Sequence, residues 1–117
     1  MLIDPHFTGP SASRQADLAL SSGMVQVAAL VCRRHDVPIS LIFSASRCRL
    51  AVARARQLAM YLSHVVLGQS LTEVGRGFGR DRTTVSYACA LIEDMRDDPA
   101  FDAEVTALES QLQERGN

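Results

Sequence analysis

Apolar residues recur at three- and four-residue intervals along most of the chain, and no stretch alternates with the two-residue period of a strand. The first 13 residues are the exception. Pro5, Gly9, Pro10 and two serines give residues 1–13 the composition of a flexible N-terminal arm. A first helix is expected from about Ser13 or Ser22 to His35. Val27, Leu30 and Val31 supply its apolar side, Val37 lies beyond its end, and Gly23 is a candidate interruption. Pro38 stops it, because the residue before a proline is pushed out of helical geometry. Ile39–Phe43 reads as a short apolar helical turn or linker, and residues 44–49 as a loop.

A second long helix is expected from about Leu50 to Leu67. Ala55, Leu58, Ala59, Leu62, Val65 and Val66 form its apolar face, with Arg56, Gln57 and Ser63 off that face. Gly68 is placed to end it. Ser70 and Glu73 have capping-box spacing for a short helix, Leu71–Phe78, that stops at Gly79. Asp81 can cap the next helix, Arg82 to about Arg96, whose apolar side is Val85, Ala88, Cys89, Ile92 and Met95. Pro99 opens a last helix to about Glu114, striped by Phe101, Val105, Leu108 and Leu112. The expected fold is all-α, a bundle of five to six helices over residues 14–117.

Charge changes the picture. The 117 residues carry a formal net charge of −1, but all 12 basic residues are Arg and they are unevenly placed. Residues 33–82 hold nine Arg and three acids, a balance of +6, whereas residues 83–117 hold two Arg and eight acids, a balance of −6. A basic middle followed by an acidic tail points to a polyanionic partner.

Residues 71–87 (LTEVGRGFGRDRTTVSY) carry the most specific pattern, the spacing of a helix-turn-helix. Gly75 sits where two steeply crossed backbones approach, and Gly79 four positions on tolerates a turn with positive φ. Val85 packs the second helix on the first, and Val74 and Phe78 anchor the first in the core. At about 100° per residue, Thr83, Ser86, Tyr87 and Ala90 face away from Val85, Cys89 and Ile92. That outer face is small and hydrogen-bonding, suited to a major groove, with Arg82 beside it. Glu93 and Asp94 follow on the same side and would repel phosphate, so the helix is expected to dock by its N-terminal end. Arg47 and Arg49 sit in a loop from which a guanidinium can reach a minor groove. Arg54 and Arg56 begin the following helix, and Arg76, Arg80 and Arg82 surround the turn.

The run from Val52 to Leu62, Ser70–Gly75, Phe78–Val85 and Ala88–Ile92 resembles the C-terminal DNA-binding domain of the bacterial replication initiator DnaA, over roughly residues 22–112. The resemblance implies a Trp-repressor-like helical bundle that binds double-stranded DNA at DnaA-box-like sites. It implies a minor-groove arginine at Arg47 or Arg49, a pair lying near the DNA at Arg56 and Gln57, and a recognition segment at Asp81, Thr83 and Thr84. Thr72, Arg80, Arg82, Ser86 and Tyr87 complete the expected DNA-binding set. Five departures stand out: Arg82 where the family usually has His, Tyr87 where it often has a second His, Ala55 and Thr72 each in place of a proline, and one glycine fewer between Phe78 and Arg80. The family's ATPase domain has no counterpart in this sequence, so the chain reads as a stand-alone module.

The rest of the sequence narrows the function classes. No G-x-x-x-x-G-K-[ST] segment offers a nucleotide site, and no Cys/His spacing offers a metal site. No apolar run is long enough to span a bilayer, and no signal peptide is evident. The expectation is therefore a cytoplasmic, nucleoid-associated DNA-binding regulator of transcription or replication, with no cofactor and no enzymatic activity. Cys32, Cys48 and Cys89 read as small buried thiols of a reducing compartment. Two matters stay open: a homodimer or protein partner using the leading helix (14–36) or the acidic C-terminal helix, and the alternative of an interaction module that keeps the fold without specific DNA binding.

Overall fold

The computed structural model describes residues 22–43 and 50–116. Among the described residues six helices follow in chain order: α1 at 22–35, α2 at Ile39–Ile42, α3 at Leu50–Val65, α4 at Leu71–Phe78, α5 at Arg82–Met95 and α6 at Pro99–Gly116. No strand occurs among the described residues. The expected arm at 1–13, the Ser13 start of the first helix and the loop at 44–49 lie outside the described residues.

The all-α expectation holds, and local chemistry explains most boundaries. Just after α1, Asp36 takes a left-handed φ of 55° and Pro38 follows, so the helix ends at residue 35. Gly23 does not interrupt α1. It lies within the helix, where a Cβ would stand 3.3 Å from Leu67 Cδ1, so it marks a close approach of the α3–α4 connection. Helix α3 stops at Val65, two residues before the expected end, and Gly68 makes the following turn with φ 72°. Helix α6 runs two residues past its expected end to Gly116.

Helix α3 is the axis of the bundle and packs against α2, α4 and α5. It is buried on more than one side, which corrects the single-face expectation. Arg56 and Ser63 are buried, whereas Val65, expected in the core stripe, is 48% exposed. Ser63 resolves its burial by donating to the Ala59 carbonyl one turn back, at 2.9 Å. Arg56 donates from Nε to the Ile42 carbonyl at 2.7 Å and from Nη2 to the Leu41 carbonyl at 2.8 Å. Its charge thereby caps the C-terminal carbonyls of α2, where Leu41 also accepts the Phe43 N–H. Phe43 stacks on Phe78 with ring centroids 5.0 Å apart, joining the end of α2 to the end of α4.

Helix α6 closes the bundle through Val105, Leu108 and Leu112, with Phe101 half-buried beside them. Its acidic side chains partly turn inward. Glu104 Oε2 lies 2.7 Å from His35 Nε2 and 3.9 Å from Arg34 Nε, tying α6 to the end of α1.

Candidate nucleic-acid interface

The two helices that carry the motif are fixed by their caps. Ser70 Oγ accepts from the Glu73 N–H at 3.1 Å, and Glu73 Oε1 accepts from the Ser70 N–H at 2.8 Å, a complete capping box that starts α4. Gly79, with φ 69°, ends α4 in the left-handed region that disfavours any side chain. The Arg80 N–H then donates to the Gly75 carbonyl at 2.8 Å. A Cβ on Gly75 would lie 2.5 Å from the Arg80 carbonyl oxygen, so this position admits only glycine without moving the turn. Asp81 starts α5: its Oδ1 accepts from the Thr84 N–H at 2.7 Å. That bond holds the Asp81 carboxyl below its ordinary pKa, so the cap stays anionic.

Packing then settles which side of α5 faces out. Val85, Ala88 and Ile92 are buried against α3 and α4, together with Val74 and Phe78 of α4. Arg82, Thr83, Thr84, Ser86 and Tyr87 are exposed, Tyr87 to 66%. Leu71, Arg82, Thr83, Ser86, Tyr87 and Ala90 line one shallow surface groove between the start of α4 and the N-terminal half of α5. Thr72 is exposed in the first turn of α4. The structure thus gathers Arg82, Thr83, Ser86 and Tyr87 on one face beside Leu71, while Thr72 is exposed next to Leu71 in the chain and does not line that groove.

The arginines fall into distinct groups. Arg82 and Arg76 are exposed and form no ion pair among the described residues. Arg80 is half-buried, its Nη1 donating to the Phe78 and Gly79 carbonyls at 3.3 and 3.2 Å. Arg54 donates to Gln57 Oε1 at 3.3 Å and reaches Met95 Sδ at 3.2 Å, so both Arg54 and Gln57 sit half-buried on α3. Arg56 holds α2, as described above. Arg47 and Arg49 lie outside the described residues.

At the far end of α5 the sequence reading missed an organised cluster. Arg96 pairs with Asp102 at 2.5 Å and with Glu109 at 3.0 Å, and donates to Thr106 Oγ1 and Tyr61 Oη, each at 3.0 Å. The Tyr61 hydroxyl donates onward to Glu93 Oε1 at 2.8 Å. Burial opposes the charge on Arg96, but the bonds to Asp102, Glu109 and Tyr61 outweigh it and raise its pKa. Burial raises Tyr61, reinforced by its bond to Glu93. The available signal was Arg96 standing among eight acids after residue 83. Cys32 and Cys89 are free thiols, buried and half-buried, and burial raises both pKa values. Among the described residues no group of three or more His, Cys, Asp or Glu could hold a metal ion, and no helix is long and apolar enough to cross a membrane.

A family described as the bacterial dnaA protein helix-turn-helix matches residues 24–92. The chromosomal replication initiator protein DnaA of Rhodopseudomonas palustris (strain BisA53) is 45% identical over 87 residues, which are 73% of this chain and 18% of that protein. The same protein of Bradyrhizobium sp. (strain BTAi1) is 44% identical over 87 residues, with the same coverage. Among solved structures, a replication initiator DnaA bound to AMPPCP and single-stranded DNA superposes with a TM-score of 0.74 at 28% identity, covering 86% of this chain and 31% of that one. A crystal structure of a DNA replication initiation factor gives a TM-score of 0.75 at 29% identity, covering 93% of this chain and 33% of that one. The chain therefore spans less than a fifth of the length of the curated relatives it matches, and a third or less of each solved one.

Proposed function

Because the chain belongs to the bacterial DnaA helix-turn-helix family, we propose that it binds double-stranded DNA with the N-terminal half of α5 in the major groove. One observation carries this reading. Within a helix-turn-helix frame, α5 presents Arg82, Thr83, Ser86 and Tyr87 together on an exposed face with no acid paired to Arg82 among the described residues. The start of α5 adds its own favourable dipole for phosphate. Thr72 and Arg76 on α4 lie where the first helix of such a motif crosses the backbone, and are assigned to phosphate. Arg56 and Gln57 act as positioning residues. Arg56 fixes α2, from which the chain runs into the segment bearing Arg47 and Arg49, the residues assigned to the minor groove. The relatives are named as chromosomal replication initiators, which supports a role in replication initiation; occupancy of DnaA-box-like sites and control of transcription are part of the proposal.

Selection from random duplexes, followed by a salt titration, tests the reading. A protein contacting several phosphates loses affinity with a log–log slope of about −0.9 per phosphate. An enriched motif with a steep slope supports the proposal. No enriched motif at moderate salt favours a protein-interaction module instead.

A further inference from the structure

The outer face of α5 is unequal in what it can discriminate. Thr83 and Ser86 offer single hydroxyls, which pair with any base, and Ala90 offers only a methyl group. Tyr87 adds a ring and one hydroxyl. Arg82 alone on that face carries a planar fork of donors. Its neighbours leave the fork available. Asp81, the nearest acid in sequence, is held at the cap by the Thr84 N–H at 2.7 Å and forms no ion pair with Arg82. Arg80 turns toward the Phe78 and Gly79 carbonyls, and Arg76 stands on α4 rather than on the helix that enters the groove. Arg82 occupies the first position of α5, the end from which such helices reach base edges. Guanine is the one base that presents two acceptors, N7 and O6, on its major-groove edge.

Resting on the duplex-binding reading above, we propose that Arg82 is the specificity-determining residue of α5 and selects one guanine in the bound site through N7 and O6. The hydroxyls of Thr83 and Ser86 then tune neighbouring positions, and Arg76 on α4 supplies affinity without sequence preference.

The test uses the full chain. Selection from random duplexes with the unaltered protein should return a motif containing at least one fixed G·C pair. Arg82→Ala and Arg82→His should flatten or change that position and leave the others in place, with circular dichroism confirming the helical fold. Replacing the fixed guanine by 7-deazaguanine removes N7. It should weaken the unaltered protein about fivefold or more, and Arg82→Ala hardly at all. An unchanged motif for Arg82→Ala overturns the assignment while leaving duplex binding standing. So does 7-deazaguanine weakening both proteins equally, or neither. Failure of the unaltered protein to enrich any motif removes the duplex-binding reading itself, and this assignment with it.

Discussion

Arg82 and Arg96 stand at opposite ends of the same helix and meet opposite environments. Arg82, at the first position of α5, is exposed and has no ion-pair partner among the described residues. Arg96, at the C-cap, is enclosed by Asp102, Thr106, Glu109 and Tyr61. Counting charges treats the two alike; their surroundings give them different work. A paired, enclosed guanidinium fixes α5 against α3 and α6. An unpaired, exposed one at a helix N-terminus is available to an outside partner. The same division separates Arg56, turned onto α2, from Arg76. The basic middle of the sequence is therefore smaller as a binding surface than its balance of +6 suggests.

Substitutions that exchange these roles break the comparison. Arg96→Ala should have the largest effect on stability. It leaves two carboxylates and a tyrosine hydroxyl without their cation, at a cost of about 2–4 kcal/mol in chemical denaturation. Duplex affinity per folded molecule should not change. Arg82→Ala should do the reverse, moving stability by no more than about 0.5 kcal/mol while weakening DNA binding. Gly75→Ala comes next in stability. A Cβ at 2.5 Å from the Arg80 carbonyl forces α4 and the turn apart, for about 1–3 kcal/mol. Unlike Arg96→Ala, it should also lower duplex affinity, because it shifts the start of α5.

Asp81 gives the smallest effect, and it depends on pH. The Thr84 N–H lowers its folded pKa below the ordinary carboxylate value. Its contribution is complete above that ordinary value and is lost as pH falls through the lowered one. Asp81→Asn retains a capping oxygen that does not titrate. The melting temperature of the parent should therefore match or exceed that of Asp81→Asn at pH 7, and its advantage should shrink below about pH 4. An advantage that is constant with pH would remove the anionic cap from the account.

The sequence made the motif legible because its signals are local. Ser70 with Glu73, Gly79 and Asp81 each act within one helical turn, and α4 and α5 begin where those residues place them. Gly75 was legible for a related reason, as part of a short fixed spacing. The fates of the arginines were not, because they depend on partners distant in the chain. Arg56 meets carbonyls 14 and 15 residues away, and Arg96 meets Tyr61 35 residues away. A single apolar stripe also misdescribes α3, the helix packed from several sides. Its run from Val52 to Leu62 is interrupted only by Arg54, Arg56 and Gln57, a pattern closer to a wholly buried helix than to a surface one.

The central claim is that the exposed N-terminal half of α5, not the acidic α6, meets DNA. Backbone amide shifts of the isotopically labelled protein, followed during titration with its selected duplex, test it most directly. The account predicts perturbations concentrated at Thr72 and from Arg82 to Tyr87, with the Arg96 cluster and the outer face of α6 unmoved. Shifts centred on α6, or none near Arg82 at saturating duplex, would contradict it.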